Sequence, residues 1–282
     1  MTDYFEPALR SATIDGQTRT WREHGPLAGG DHALPLVCLH GIGSNARAWA
    51  GQFAHFGKVR RMVAWNAPGY PGSDPLCAQA PEPQDYAVAL AALLDALGID
   101  RCVLIGQSLG AIIATAFTLA QPRRVAALGL ASPASGYAVP AGAPLPANVE
   151  ERVEAACIHG ASGLADRRAH RLLTERAAPH ARAIVHGAMA EVDPAGYAQA
   201  SRMLAHADLP AMAAVLTVPP LVLWGGEDII TVPAKCRSVA AAAPGAEAIE
   251  IPGLGHGFAT EAPALFNAAI DDWLSRRGLK EG

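Results

Sequence analysis

The 282-residue sequence has no run of basic residues and no uncharged apolar stretch long enough to cross a membrane. Its 22 Lys and Arg residues are outnumbered by 26 Asp and Glu residues, which gives a net charge of −4. This balance does not favour binding to nucleic acid or to an anionic membrane surface. The opening MTDYFEPALR also lacks the apolar segment of a signal peptide. We therefore expect a cytoplasmic protein with neither nucleic acid nor membrane as a partner.

The sequence also lacks any pair of cysteines at CxxC spacing. Its five cysteines are odd in number and widely separated, and Cys38 and Cys102 lie inside apolar runs. This spacing does not indicate a disulfide framework. We predict that Cys38 and Cys102 are small core residues of a protein in a reducing compartment.

Apolar residues are abundant: 51% of the sequence is hydrophobic, which is enough for a sizeable core. An Asp15-Gly16 pair between two alternating stretches predicts a hairpin near the amino terminus. After it, short apolar runs typical of buried strands alternate with segments of helical periodicity. The predicted strands are 34–40, 60–66, 102–107, 125–132, 219–228 and 247–253, and the predicted helices are 86–97, 109–122, 234–243 and 261–277. This alternation predicts an α/β fold with a mostly parallel central sheet and helices on both faces.

The alternation stops between residues 137 and 209, where no strand is predicted. A loop rich in Pro, Gly and Ala is followed there by four predicted helices, at 148–159, 163–176, 181–190 and 194–206. A helical insert of this length is typical of a lid over the carboxyl edge of the sheet. We therefore predict a core domain of residues 1–136 and 210–282 with a helical cap of residues 137–209.

The segment IGQSLGA places Ser108 between two glycines, directly after a predicted buried strand and before a predicted helix. GQSLG fits the G-x-S-x-G nucleophile elbow, and a strand–turn–helix context is the condition that supports this motif. Side chains at Gly106 and Gly110 would collide with the neighbouring elements, because the turn is tight and strained. The start of the helix also supplies N–H groups where an oxyanion would develop. We predict that Ser108 is a nucleophile.

A serine nucleophile needs a general base, and the base needs an orienting acid. His256 lies in the glycine-rich segment GLGHGF, between the last predicted strand and the last predicted helix. Asp228 follows a buried strand, precedes an apolar turn and comes 28 residues before His256. We predict His256 as the base and Asp228 as the acid. Glu227 is the alternative acid; otherwise it is a solvated loop charge.

An oxyanion hole needs two hydrogen-bond donors. We predict the backbone N–H groups of Leu109, directly after the nucleophile, and of Ile42, in the loop that follows the first buried strand. We expect His40 to hold that loop by hydrogen bonds rather than to transfer protons. The remaining histidines share no metal-ligand spacing with carboxylates or thiols, so we predict neither a metal nor a cofactor. They include His55, His159, His170, His180, His186 and His206.

With these residues in this order, the sequence resembles the α/β-hydrolase superfamily over nearly its whole length. The resemblance rests on the motifs HGIG, NAPGYPGSD, GQSLGA, LVLWGGED and GLGHGF. It implies the α/β-hydrolase fold with a helical cap, and the chain order of Ser108, Asp228 and His256. Haloalkane dehalogenases and epoxide hydrolases of this fold carry an aspartate at the elbow and are disfavoured. Asn66 and Pro71 depart from the family's D-x-x-G-x-G pattern, so we expect this turn to be set differently.

Within the serine branch, DPAGYAQASRMLAHADL followed by VPPLVLWGGEDIITVP resembles 3-oxoadipate enol-lactonases and related small-ester hydrolases. The resemblance implies a serine hydrolase that cleaves a small carboxylic ester or lactone through an acyl-enzyme intermediate. Carbon–carbon bond hydrolases of meta-ring-cleavage products are the alternative enzyme class. Gly257-Phe258 and Ser44-Asn45 count against that class, which commonly has a tryptophan and a Gly-Pro-Gly-like stretch at these places. A small-ligand receptor on the same fold is the alternative outside enzymes.

The resemblance also implies a small-molecule substrate as the partner, and the sequence leaves the oligomeric state open. The predicted cap contains many arginines, among them Arg152, Arg167, Arg168, Arg171, Arg176, Arg182 and Arg202. Most should be solvated, because a lid helix has one wet face. An enol-lactone of the implied kind carries a carboxylate, which needs a cationic partner when it is desolvated. We hypothesise that one cap arginine supplies it through a bidentate contact.

Overall fold

The computed structural model describes residues 4–26, 33–140 and 143–279. At its centre is one eight-stranded sheet with the strand order β1-β2-β4-β3-β5-β6-β7-β8. The strands are β1 Leu9–Ile14, β2 Gln17–His24, β3 Leu36–Leu39, β4 Met62–Asn66, β5 Cys102–Gln107, β6 Val125–Ala131, β7 Pro220–Gly225 and β8 Glu247–Ile251. β2 pairs antiparallel with β1 and β4, and all other neighbouring strands are parallel. The predicted α/β fold with a mostly parallel sheet is confirmed.

The strands form where short apolar runs of the sequence predict them. Every residue of β3, β4, β5 and β7 is buried, as expected for apolar runs covered on both faces. Cys38 and Cys102 are fully buried in this layer, which confirms them as core residues. The amino-terminal hairpin turns at Asp15-Gly16, where Ile14 pairs with Gln17.

Helices cover both faces of the sheet. They are α1 Ala50–Phe56, α2 Pro83–Ala96, α3 Leu109–Ala120, α8 Pro233–Ala242, α9 Phe258–Glu261 and α10 Pro263–Arg276. Buried side chains of α2, α3 and α8 form one apolar cluster with one face of the sheet. Those of α1, α9 and α10 form a second cluster on the other face. The carboxyl edge of the parallel strands lies between these two helical layers.

Two helical segments differ from the prediction. The helix predicted over 261–277 is α10, which begins two residues later, at Pro263, and a short helix that was not predicted, α9, precedes it; Ala262, with φ −139° and ψ 68°, is non-helical and separates the two. α1 and the 3-10 helix Ala46–Trp49 before it were not predicted. The side chain of Asn45 caps that turn by accepting from the Arg47 N–H at 2.9 Å.

Between β6 and β7 the chain is helical, as predicted. It forms α4 Ala147–Arg168, a 3-10 helix Ala169–Leu172, α5 Pro179–Ala190, α6 Pro194–His206 and α7 Leu209–Ala213. The two ends of this segment meet at its base, where Gly136 and Asp208 form an antiparallel bridge. The division into a core and a cap of residues 137–209 stays a prediction. Residues 1–3, 27–32, 141–142 and 280–282, which that division includes, lie outside the described residues.

The helix predicted over 163–176 is confirmed only as far as Arg168, and its predicted end is wrong. α4 runs through this region only as far as Arg168, and it includes the predicted helix 148–159, with a kink at Gly160 (φ 64°, ψ −176°). Beyond the 3-10 helix, Leu173 is extended (φ −123°, ψ 159°). The chain leaves the helical conformation here because it binds the core: the carbonyl of Leu172 accepts from the Gly257 N–H at 2.6 Å. Such long-range hydrogen bonds override local helix propensity.

Within the described ranges, no helix is both long and apolar enough to span a membrane. The cytoplasmic location stays a prediction.

Candidate active site

Ser108 occupies the turn between β5 and α3 in a strained backbone conformation, with φ 54° and ψ −114°. A non-glycine residue in this region of φ is uncommon and costs energy, so tight packing must hold it there. The two flanking glycines supply that packing. A Cβ on Gly106 would collide with the carbonyl oxygen of Gly110, and a Cβ on Gly110 would collide with that of Leu39. The two glycines of GQSLG therefore allow the tight packing that holds Ser108 in this strained conformation at the tip of the turn.

The peptide group after Ser108 is held in a fixed orientation. Its carbonyl oxygen accepts from the N–H groups of Ala111 and Ala134 at 3.1 and 3.2 Å. Because the peptide is planar, these bonds also fix the direction of the Leu109 N–H. Leu109 is the first residue of α3, so its N–H has no acceptor within the helix. Elsewhere in the described chain it also has no protein acceptor. A fixed, unused donor next to a nucleophile suits an oxyanion.

The Gly41–Ile42 peptide is held in the same way. The carbonyl oxygen of Gly41 accepts from the Ser44 N–H at 3.1 Å and lies 2.9 Å from His40 Nδ1. These contacts fix the Ile42 N–H, which has no protein acceptor among the residues described. A Cβ on Gly41 would lie 3.1 Å from the Cβ of Ser108, so only glycine lets this loop approach the elbow without pressing on it.

His40 is a neutral imidazole that holds the loop. Its Nε2 accepts from the Ala67 N–H at 3.1 Å, so Nδ1 carries the proton and donates to the Gly41 carbonyl. Burial lowers the pKa of His40 to about 4, although the Gly41 hydrogen bond acts in the opposite direction. The ring also packs against Tyr70, with centroids 4.5 Å apart. The expectation that His40 holds the loop through hydrogen bonds is confirmed.

Asp228 and His256 form a buried pair: Oδ2 of Asp228 lies 2.8 Å from Nδ1 of His256. The two residues are only 2% and 5% exposed. Burial alone would raise the pKa of Asp228, but the charge of His256 and hydrogen bonds from His256, Thr231 and Ile230 outweigh it and lower this pKa. Asp228 is therefore an ionised carboxylate that orients the imidazole. Glu227, the alternative acid, is instead an exposed partner of Arg176 at 2.7 Å.

Thr231 is a part of this site that sequence reasoning missed. Its hydroxyl donates to Asp228 Oδ2 at 2.7 Å and lies 3.1 Å from His256 Nδ1. Its N–H donates to Asp228 Oδ1 at 2.9 Å, alongside the N–H of Ile230 at 2.7 Å. The signal was present in DIIT, because an aspartate followed at two and three residues by free N–H groups is an Asx-type turn. Asp228 is thus held by four donors, His256 included.

The loop that carries His256 is anchored on both sides. Gln107 Nε2 donates to the His256 carbonyl at 3.1 Å. Glu261 accepts from the Gly255 N–H at 3.0 Å and, through its other oxygen, from the N–H of Thr174 at 3.1 Å and from the Thr174 hydroxyl. The segment after α4 therefore locks the loop to the core, which is the reason that the predicted helix over 163–176 cannot continue.

The turn after β4, where Asn66 and Pro71 depart from the family pattern, is also tightly bonded. Asn66 Oδ1 accepts from the Ala46 N–H at 2.9 Å, and its Nδ2 donates to the Pro71 carbonyl at 2.9 Å and to Thr20 Oγ1 at 3.0 Å. Asn66 thus takes a structural role here, as a neutral amide that both donates and accepts.

Ser108, His256 and Ile42 line a single cavity with a volume of about 140 Å³. Tyr197 and Met189 of the helical segment also line it. In the part of the chain that the structure describes, no hydrogen bond joins the Ser108 hydroxyl to His256 within 3.5 Å. Such bonds are often loose in the absence of substrate. Three of the predicted site residues, Ser108, His256 and Ile42, therefore share one cavity, Asp228 contacts the imidazole, and Leu109 follows Ser108 in the chain without lining the cavity.

A sequence model of the alpha/beta hydrolase family matches residues 36–269. The chain belongs to the α/β-hydrolase family. This α/β hydrolase is similar in structure to the enol-lactonase from Burkholderia xenovorans LB400, with a TM-score of 0.84, 25% sequence identity, and coverage of 94% of this chain and 100% of that chain. It is also similar to a thermophilic esterase from Thermogutta terrifontis, with a TM-score of 0.81, 23% identity, and coverage of 96% and 99%. The predicted resemblance to α/β hydrolases, enol-lactonases included, is confirmed.

Sequence relatives of this α/β hydrolase have other names. A 2-hydroxy-6-oxononadienedioate/2-hydroxy-6-oxononatrienedioate hydrolase of Pseudomonas putida is 38% identical over 115 residues, which is 39% of this chain and 40% of that protein. The dihydrolipoyllysine-residue acetyltransferase component of an acetoin cleaving system, also from Pseudomonas putida, is 28% identical over 281 residues, which is 96% of this chain and 70% of that protein. The first match thus spans well under half of the relative's length.

Proposed function

We propose that this α/β hydrolase cleaves a small carboxylic ester or lactone, with Ser108 as nucleophile, His256 as general base and Asp228 as the orienting acid. The observation that carries the proposal is the buried 2.8 Å contact between His256 and Asp228, with Ser108 and His256 on the wall of one cavity. A serine hydroxyl, an imidazole and an ionised carboxylate that orients it are the groups that acyl transfer needs. The enol-lactonase and esterase neighbours support the same reaction class.

The proposed reaction begins when His256 Nε2 takes the hydroxyl proton of Ser108 as Oγ bonds to the substrate carbonyl carbon. The electron pair of the C=O bond moves to the oxygen, and the N–H groups of Ile42 and Leu109 stabilise the resulting oxyanion. Collapse of this intermediate breaks the C–O bond, and His256 gives its proton to the departing alkoxide. In a lactone that alcohol stays attached to the acyl group. Asp228 remains ionised throughout and keeps Nδ1–H directed towards itself.

Water completes the proposed cycle. His256 takes a proton from a water molecule, the hydroxide adds to the acyl carbon, and the same two N–H groups stabilise the second oxyanion. Collapse then breaks the bond to Ser108 Oγ, which recovers its proton from His256. The products are a carboxylic acid and an alcohol. We further propose that residues 137–209 act as a cap that shields these steps, since Val185 and Met189 line the cavity.

A fluorophosphonate probe combined with p-nitrophenyl ester turnover tests the proposal. We expect the wild-type protein to be labelled on Ser108 and to hydrolyse short esters, and Ser108→Ala to lose both properties. Ser135→Ala is the matched control, because Ser135 also lines the cavity but is not assigned a chemical role, and it should still be labelled. A folded wild-type protein that is neither labelled nor active would instead support a small-ligand receptor.

Carbon–carbon bond hydrolysis is the second candidate, favoured by the Pseudomonas putida hydrolase that matches 39% of the chain. In that reaction a dienone acid would replace the ester, and the bond broken would be C–C rather than C–O. The two candidates separate in a substrate screen of short esters, small lactones and dienone acids. Preference for a dienone acid by 100-fold or more in kcat/KM, on the order of 3 kcal/mol, would favour the second candidate.

A further inference from the structure

Three arginines of the helical segment line the cavity that contains Ser108. Arg152 and Arg168 come from α4, and Arg171 comes from the 3-10 helix after it. Lys235 of α8 adds a fourth cation to the wall. No Asp or Glu lines the cavity, and none of the four cations forms an ion pair with any described residue.

The other four arginines of the predicted cap are accounted for elsewhere. Arg176 pairs with Glu227 at 2.7 Å. Arg182 donates to three backbone carbonyls in the segment before its own helix, and Arg202 donates to the carbonyl of Gln79, outside the helical segment. Arg167 is exposed and absent from the cavity wall. Of the seven arginines of the predicted cap, only Arg152, Arg168 and Arg171 therefore remain as candidate partners of a substrate carboxylate.

Two of the cavity arginines, Arg152 and Arg168, lie near tyrosine hydroxyl groups rather than near carboxylates. Arg152 Nη2 donates to the Tyr137 hydroxyl at 3.2 Å, and Arg152 Nε is buried without a partner among the described residues. Tyr197, only 2% exposed, lines the cavity, and its hydroxyl has no hydrogen-bond partner in the described chain. Burial lowers the pKa of Arg168; Tyr197 opposes this, and the charges of Arg152 and Arg171 lower it further. This end of the cavity therefore has excess positive charge and unused donors.

We propose that Arg152, Arg168 and Arg171 form an anion-binding subsite, and that the substrate carries a carboxylate which they hold while its ester or lactone carbonyl lies at Ser108. The inference rests on the proposed function and names its substrate class. A guanidinium matches a carboxylate through two parallel hydrogen bonds. A neutral apolar substrate would instead leave the charges of Arg152 and Arg168, which are both partly buried, without a counter-charge, which is unfavourable; Arg171 is exposed.

Two pairs of esters test the subsite. Mono-p-nitrophenyl glutarate is compared with p-nitrophenyl pentanoate, so that the charge lies on the acyl side. The butyryl ester of p-hydroxybenzoate is compared with phenyl butyrate, so that it lies on the leaving group. For at least one pair, Arg168→Ala should lower the ratio of kcat/KM for the anionic ester to that for the neutral ester by about 10-fold or more, the range for a charge-assisted hydrogen bond.

Arg167→Ala is the matched control, because it removes the same charge from the same helix, and its two ratios should equal those of the parent. The proposal is overturned if the triple variant Arg152→Ala, Arg168→Ala, Arg171→Ala keeps both parental ratios. A binding measurement separates this inference from the proposed function. Calorimetry with glutarate on the Ser108→Ala protein should show binding that Arg168→Ala weakens by about 10-fold or more. That result supports the subsite even without ester turnover, and the absence of glutarate binding counts against it.

Discussion

His40 should make the folded protein sensitive to acid. In the folded chain its pKa is about 4, against an ordinary value of 6.5, because burial disfavours the charged ring. As the pH falls below 6.5, His40 becomes protonated in the unfolded chain but stays neutral in the folded chain. Acid therefore favours unfolding. The contribution of the neutral His40 to the free energy of unfolding is fully present above pH 6.5 and is lost as the pH falls towards 4. Between pH 8 and pH 5 the loss is about 2 kcal/mol of unfolding free energy.

Urea unfolding at both pH values measures this loss. His40→Gln removes the titration, so its unfolding free energy should fall by about 2 kcal/mol less than that of the parent between pH 8 and pH 5. Only the change in unfolding free energy between the two pH values is compared, so a loss of stability that the substitution causes at pH 8 does not affect the result. His170→Gln is the control, because His170 is exposed, and it should keep the parental pH dependence. If His40→Gln loses as much stability as the parent, the neutral buried imidazole that orients Gly41 is not present.

The remaining predictions concern the acid, its neighbour and metals. Asp228→Asn should lower kcat by about 10⁴-fold, because it destabilises the imidazolium and the required tautomer, whereas Glu227→Gln should change kcat little; the reverse order would reassign the acid. Thr231→Val removes a hydroxyl donor to the Asp228 carboxylate and should lower kcat by about 10-fold, and Thr231→Ser should restore most of it; equal rates for both variants would contradict this positioning role. EDTA should leave turnover unchanged, and metal-dependent turnover would contradict the serine mechanism.

The strands and the site motifs could be predicted from the sequence because both are local signals. β5, for example, has five apolar or small residues followed by Gln107, ends at the elbow and spans the predicted 102–107. Ser108, Asp228 and His256 follow such strands, and parallel strands bring their carboxyl ends to one edge. The short 3-10 helix before α1 also had a local signal, the Asn45 cap, which the prediction did not use.

The helical segment could not be predicted to the same depth, because long-range contacts decide it. The break after Arg168 depends on Leu172 and Thr174 bonding to the loop of His256, and residues that pair across 85 positions leave no periodic pattern. The kink at Gly160 also rotates the second half of α4 relative to the first. The face that bears Arg168 therefore cannot be deduced from helical spacing.

Ser108 and His256 are proposed to act together in one proton-transfer step, and a comparison of single and double variants tests this. Ser108→Ala and His256→Ala should each lower kcat for a short p-nitrophenyl ester by about 10⁴-fold or more, once circular dichroism shows that each variant is folded. If the two residues share one step, the double variant should be little slower than either single one. Losses that multiply in the double variant would contradict a shared step.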